Sequence, residues 1–297
     1  MSAAMSLLEM IDAMSARLES AGVEFGQGTT NAFDEAAWLV LWRLGLPLDA
    51  PDVLHTEAER RLDAAEQASV RALVEERIAT RRPAAYLTGE AWLQGLPFHV
   101  DERVIVPRSL IAEPLADGTL DAWLASDTGQ VLDLCTGNGS LAVLAALAWP
   151  EVRVIGTDIS PGALAVAQRN VQRHELQDRI ELVLGDGLAA APGVYDLILC
   201  NPPYVNLQSM QSLPPEFRCE PALALDGNAQ GGDDGMDFVR RLLPALPAHL
   251  SPQGVLVLEI GHERAHFEAA FPQLSPLWLS TSAGDDQVLL LTRDALA

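Results

Sequence analysis

The sequence predicts an α/β fold, a mainly parallel sheet with one late antiparallel strand, preceded by a small all-helical domain and a β-hairpin connector. Three observations lead there. From Gln130 onward, short apolar runs alternate with helical patterns, which implies parallel strands joined by crossover helices on both faces. Residues 1–85 carry apolar positions at helical spacing. Between the two regions, Gln94-Gly95 separates two short apolar runs, the pattern of a tight hairpin.

In order, Met5 to Ala21 reads as a helix stopped by Gly22. Asn31 is placed to cap a second helix, Asp34 to Leu44, ended by Gly45 and Pro47. Thr56 to Arg82, rich in Ala, Glu and Arg, reads as one long or two short helices before Pro83. Trp38 and Trp42, spaced i, i+4, suit core packing better than a ligand cage. Residues 86–108 form the connector, with strands at Ala91–Leu93 and Leu96–Val100, and Ser109 is placed to cap a helix toward Leu115. In the remaining domain, 109–297, strands are expected at Gln130–Leu134, Arg153–Thr157, Ile180–Leu184, Tyr195–Cys200 and Val255–Ile260, with helices such as Leu141–Ala148 and Pro161–Arg173 between them. Leu277–Ser280 and Gln287–Thr292 are separated by too few residues for a crossover helix, so one of these late strands runs antiparallel.

Composition narrows the function. A chain of 297 residues supports two domains and a sizeable core. Its longest apolar run, Leu141 to Trp149, is too short to span a bilayer, so no membrane role is expected. The start lacks the basic segment and apolar block of a secretory signal, and the three cysteines, Cys135, Cys200 and Cys219, are far apart. Neither a disulfide framework nor a zinc site is suggested, and a reducing cytoplasm fits. The formal charge of −22 repels nucleic-acid phosphates and attracts a basic protein partner. All 19 basic residues are arginines, so the lysine of a phosphate-cradling P-loop is missing.

Three strand ends carry chemistry. Val131 to Ser140 is a strand feeding a tight turn, Cys135-Thr136-Gly137-Asn138-Gly139, and then a helix. Its glycines let backbone approach a ligand closely, and the helix start offers unpaired N–H groups. Asp158 ends the next strand, where a carboxylate can accept from both hydroxyls of a ribose. Asp186 comes after the third strand, within reach of an adenine amino group or the loop backbone. Each feature alone also fits a strand-ending glycine or a helix-capping Asp, but three in one α/β unit point to nucleoside binding. Gly137-x-Gly139-x-x-Ala142 also satisfies a relaxed dinucleotide fingerprint.

The fourth strand discriminates. It runs into Asn201-Pro202-Pro203-Tyr204, where two prolines stiffen the loop and leave backbone carbonyls without a ladder to join. The Asn201 side chain adds an acceptor and a donor, and Tyr204 adds a flat ring. Such a turn can grip a planar NH2 group, as methyl transfer to nitrogen requires and hydride transfer does not. Two other patterns are weaker. His262-Glu263-Arg264-Ala265-His266 fits a zinc-protease spacing without an obvious third ligand, and no metal is expected. Asp226, Asn228, Gln230 and Asp237 faintly echo a calcium loop that lacks its bidentate Glu.

Asp133-Leu-Cys-Thr-Gly-Asn-Gly139, Asp158 and Asn201-Pro-Pro-Tyr204 resemble the class I S-adenosylmethionine-dependent methyltransferases, with their Rossmann-like sheet. The arrangement is similar to the HemK/PrmB family of protein glutamine methyltransferases over nearly the whole chain. Val106 to Glu113 and Arg218-Cys219-Glu220-Pro221 resemble the branch acting on ribosomal large-subunit protein number three. The release-factor branch usually has Pro-Arg-Pro, and Gly where this chain has Cys135. Residues 228–232 make a loop longer than the family's usual one. The resemblance implies S-adenosylmethionine as cofactor, its methionine and ribose near Cys135, Thr136, Gly137, Asn138, Gly139 and Asp158, and its adenine near Asp186. It implies a catalytic turn of Asn201, Pro202, Pro203 and Tyr204. Asn201 and Pro202 hold the target amide, Tyr204 packs on it, and Asn201 also faces the cofactor. Arg108 and Glu220 would shape the pocket or pair between elements. The helical domain would recognise a basic protein substrate, a ribosomal large-subunit protein before a release factor, with no direct nucleic-acid contact. Two alternatives remain: an adenine or guanine amino methyltransferase, which would flip a base into the pocket, and a non-catalytic nucleoside-binding ribosome-assembly module.

Overall fold

A computed structural model describes residues 5–48, 50, 52–125 and 128–296. The first four residues of the expected helical domain lie outside that range. The chain divides into two compact units, one comprising residues up to Pro97 together with Pro214–Cys219, the other Phe98–Leu213 and Glu220 onward.

The first unit is built on helices with strong N-terminal signals. Helix α1 (Leu7–Ser20) starts at a capping box, in which the Glu9 amide donates to the Ser6 hydroxyl and the Ser6 amide to the Glu9 carboxylate. Asn31 caps α2 (Ala32–Arg43) through the Asp34 amide. The Thr56–Arg82 stretch holds one helix, α4 (Ala64–Thr80), where Asp63 and Glu66 form a second capping box; residues 57–63 are not helical, and a short α3 (Val53–Thr56) precedes them. Leu7, Ile11, Leu18, Leu39, Val40, Val70 and Val74 are wholly buried and form the core, with Trp38 and Trp42 packed on it. The unit also buries charge. Arg77 pairs with Glu35 at 2.8 Å, and Glu216, from the returning segment, accepts from Arg81 at 3.0 Å. Burial pushes the Glu35 carboxyl up and the Arg77 guanidinium pulls it back. After α5 (Ala84–Thr88), strands β1 (Glu90–Leu93) and β2 (Leu96–His99) pair as a hairpin. Gln94 and Gly95 both have positive φ, 50° and 74°, as a two-residue turn matched to strand twist requires.

The second unit contains α6 (Ala112–Ala116) and then the alternating segment: β3 (Gln130–Leu134), α7 (Ser140–Ala148), β4 (Arg153–Asp158), α8 (Pro161–Arg173), β5 (Ile180–Leu184), β6 (Tyr195–Cys200), α9 (Leu207–Ser212), α10 (Asp237–Leu242), β7 (Leu250–Glu259), α11 (Arg264–Ala270), β8 (Leu277–Thr281) and β9 (Gly284–Thr292). The sheet order is β5-β4-β3-β6-β7-β9-β8, and β9 runs antiparallel to both of its neighbours. The expected parallel sheet with one late antiparallel strand is what forms. From β3 the chain winds outward through β4 and β5, then crosses back to place β6 on the other flank of β3. That reversal opens a crevice at the carboxyl ends of β3 and β6, where open α/β sheets bind ligands. Leu132, Ile198, Leu256 and Leu289 lie at the centre of the core. Ser109 does not simply cap α6: its hydroxyl donates to Glu259 at 2.6 Å while accepting weakly from the Ile111 amide at 3.3 Å.

Candidate active site

The glycine turn is held from three sides. Cys135, Gly137 and Gly139 all lie in the left-handed region, with φ of 59°, 56° and 79°. Glycine suits that conformation; Cys135 adopts it with a side chain, at a local cost of about 1–2 kcal/mol. Beneath the turn, buried Asp133 accepts from the Thr136 hydroxyl at 2.5 Å and the Ala142 amide at 3.1 Å, joining the strand end to the first turn of α7. Its other oxygen is buried without a hydrogen-bond partner, and burial raises its pKa to about 7. Behind the turn, Gly139 lies against α8 so closely that a Cβ there would sit 3.1 Å from the Ala167 Cβ. Asn170, one turn further along α8 and fully buried, donates to the Asn138 carbonyl at 2.8 Å and brackets the His99 backbone.

Asp158, at the end of β4, uses one oxygen for the Gly137 amide at 2.9 Å and the other for the Ser160 amide at 2.8 Å. Each oxygen keeps a second lone pair for a ligand. Burial raises its pKa, and the amide donors oppose the shift. Asp186, beyond β5, pairs with Arg241 at 2.9 Å, and that guanidinium lies 5.7 Å from the Phe238 ring centre.

The register of β3 on β6 pairs Leu134 with Cys200. Cys135 and Asn201, the next residues, therefore leave adjacent strands side by side. Both line a cavity of about 480 Å³, together with Gly137, Asp158, Asp186 and Pro203. That volume falls in the range of small-molecule sites. Further wall comes from Val104, Leu223, Phe238 and Arg241.

The sequence-predicted residues divide by location. Cys135, Gly137, Asp158, Asp186, Asn201 and Pro203 reach the cavity wall. Thr136, Asn138 and Gly139 are the turn's framework, with Thr136 and Asn138 buried and bonded within it. Pro202 is buried, and Tyr204 faces the core, its hydroxyl donating to Glu259 at 3.2 Å and its ring covering Gly261. Arg108 and Glu220 form a bidentate pair at 2.6 and 2.9 Å, and Glu220 also accepts from the Val106 amide. The His262–His266 spacing does not lie on one helix, since α11 begins at Arg264 and the Glu263 carboxylate is engaged by Asn206 and His266. The calcium-loop echo is a turn whose carboxylates accept local donors: Asp226 from Asn228, and Asp237 from the Gln230 and Gly232 amides.

Sequence reasoning passed over Asn170, Arg241, Phe238 and Glu259. Two of them left a signal. Asn170 shares the buried stripe of Ala163, Val166 and Ala167, where a polar residue needs partners. Glu259 interrupts the apolar run Val255–Ile260, where a charge needs partners.

Known proteins share both the sequence and the architecture. The model of the methyltransferase small domain matches residues 118–220, and that of the PrmC N-terminal domain matches residues 9–89. Ribosomal protein uL3 glutamine methyltransferase of Bordetella pertussis is 53% identical, over 98% of this chain and 96% of its own. The proteins of that name from Burkholderia pseudomallei and Neisseria meningitidis are 50% and 46% identical, over 93% and 94% of this chain and 90% of each of theirs. The hMettl16 catalytic domain in complex with a MAT2A 3'UTR hairpin shares the fold, with a TM-score of 0.50 at 14% identity over 79% of this chain and 84% of that structure. With matches of this identity spanning nearly its whole length, the chain belongs to the HemK/PrmB family of protein glutamine methyltransferases.

Proposed function

We propose that the chain transfers a methyl group from S-adenosylmethionine to the side-chain amide nitrogen of a glutamine in ribosomal protein uL3, and that it does so in the cytoplasm. The observation that carries the reading is the β3–β6 register, which sets Asn201 beside the glycine turn on one cavity wall. The residues present fit the cofactor. Gly137 and Gly187 turn bare Cα atoms to the cavity at positive φ, and a Cβ at either would meet no atom closer than 3.9 Å. Asp158 keeps lone pairs for ribose hydroxyls, and Asp186 with Phe238 and Arg241 offers a polar and aromatic wall suited to a base.

When bound, the cofactor supplies an electrophilic methyl carbon on a sulfonium. The chain's own task is to present a poor nucleophile. An amide nitrogen shares its lone pair with its carbonyl, so orientation and charge stabilisation must do most of the work. In this reading the Asn201 side-chain oxygen and the Pro202 carbonyl accept the two amide hydrogens and favour positive charge developing on nitrogen. Fixing such a geometry recovers on the order of 7–11 kcal/mol of barrier. The proton leaves after transfer, so no strong base is needed. Pro203 stiffens the turn, and Tyr204 holds it from behind.

The relatives' names support the substrate, and so does charge. A protein that lies against ribosomal RNA needs positive surface, and this chain carries −22. No helix among the described residues is long and apolar enough to cross a membrane. The helical first unit, residues 1–85 in the sequence reading, is assigned to substrate recognition. The test offers purified uL3, a release factor and naked RNA separately with methyl-labelled cofactor. Label on a glutamine of uL3 is expected; label in RNA alone overturns the reading.

A further inference from the structure

Glu259 is nearly fully buried at the end of β7, directly behind the Asn-Pro-Pro-Tyr turn: Cys200 pairs with Leu258, so Asn201 and Glu259 leave neighbouring strands together. Three donors converge on it. The Tyr204 hydroxyl reaches one oxygen at 3.2 Å, and the Ser109 hydroxyl at 2.6 Å and Leu110 amide at 2.9 Å reach the other. Burial raises the Glu259 carboxyl pKa, and the converging donors, which favour the ionised form, oppose the shift. Burial, then the Glu259 charge, push the Tyr204 phenol far up, which keeps it a donor. The ring packs directly on the Gly261 backbone, and the Tyr204 backbone packs on Gly235. A Cβ on Gly261 would lie 2.5 Å from Tyr204 Cε2, and one on Gly235 would collide with the Tyr204 carbonyl oxygen. A second carboxylate, four residues on, repeats the device: Glu263 accepts from the Asn206 side chain at 2.7 Å.

We propose that Glu259 is a positioning residue for methyl transfer: by fixing the Tyr204 hydroxyl and the 109–111 turn, it sets the height of the Asn201–Pro203 wall. It touches neither cofactor nor substrate. The proposal rests on the glutamine-transfer reading above, and it is tested in the whole 297-residue chain with Glu259→Gln, Tyr204→Phe, Ser109→Ala and the Glu259→Gln/Tyr204→Phe double variant. Each is assayed below its unfolding temperature for kcat and for the two KM values, with folding checked by circular dichroism. Glu259→Gln and Tyr204→Phe should each lower kcat about tenfold, equivalent to 1.4 kcal/mol of barrier, with both KM values within about threefold. The double variant should fall no further than the worse single, because the contact that Tyr204→Phe removes is among those that Glu259→Gln perturbs. A purely structural role would lower the unfolding temperature and leave kcat intact. Multiplying kcat losses, or a loss confined to the cofactor KM, overturns the proposal. Should Glu259→Gln not fold, Tyr204→Phe and Ser109→Ala reach the same carboxylate from its partners, and unchanged kcat in both overturns it. If the wild type labels no uL3, the glutamine reading fails. The Tyr204–Glu259 link is then judged by denaturant midpoints, where strictly additive shifts overturn it.

Discussion

Asp133 gives the strongest pH prediction. Its carboxyl is 1% exposed, and one oxygen has no hydrogen-bond partner, so burial raises its pKa from 3.8 to about 7. The folded state therefore binds this proton more tightly than the unfolded chain does. Below about pH 4 both states are protonated and the contribution to stability is fully present; it is lost as pH rises toward 7, where the folded carboxyl finally ionises. A separation of about three pKa units at 1.36 kcal/mol each makes the loss about 4 kcal/mol, an order-of-magnitude figure. Asp133→Asn removes the titration. Other carboxylates titrate in the same window, so the measured quantity is the wild-type minus variant difference in unfolding free energy, from urea denaturation at several pH values between 4 and 8. The difference should fall by several kcal/mol toward pH 8. A difference flat to within about 1 kcal/mol, comparable to the error of the extrapolation, refutes the reasoning and means that Asp133 is ionised throughout.

Three further substitutions probe the site. Asn201→Ala should lower kcat by about 100-fold or more, as removal of one preorganised polar contact does, while calorimetry finds cofactor affinity within about threefold; loss of binding instead contradicts the assignment. Gly139→Ala places a Cβ 3.1 Å from Ala167 at a φ of 79°. It should cost about 1–2 kcal/mol of stability and weaken the cofactor, read by thermal denaturation and calorimetry. Asn170→Ala leaves the Asn138 and His99 carbonyls without their donor, which should cost about 1–3 kcal/mol. Cofactor affinity should fall with little change in kcat at saturation, and a fall in kcat alone would count against its role in the glycine turn.

Much of the α/β unit was legible because its strands are apolar runs bounded by turn residues. Ile180–Leu184 and Tyr195–Cys200 have the ends the sequence suggests, since Gly185 and Pro202 stop the runs from continuing. The start of β7 was hidden. Pairing skips from Tyr195–Leu250 to Leu197–Val255, so residues 251–254, with Pro252 among them, form an irregularity that reads as a break. The non-helical lead into Asp63 was not legible, because the Ala-, Glu- and Arg-rich stretch favours helix throughout and the capping box decides locally. The return of Pro214–Cys219 to the first unit left no local signal, because Glu216 meets Arg77 and Arg81 only across more than a hundred residues of chain.

The direction of Tyr204 shows where local reading ends. A flat ring after two prolines suggests a lid over a planar substrate, and nothing within the motif opposes that. The residues that turn the ring inward lie elsewhere in the chain: Gly261, which leaves room for it, and Glu259, which accepts its hydroxyl. Those residues come alongside only through the β6–β7 register. The motif therefore has two faces with different duties. Asn201 and Pro203 form the wall on the cavity side, and Tyr204 anchors the turn to a buried carboxylate on the core side. A rigid turn needs both, since prolines restrict backbone torsions but do not fix the turn's height against the sheet. Removing the Tyr204 hydroxyl should thus leave the atoms proposed to hold the amide present yet displaced, and orientation-dependent catalysis is sensitive to displacements on the order of 1 Å.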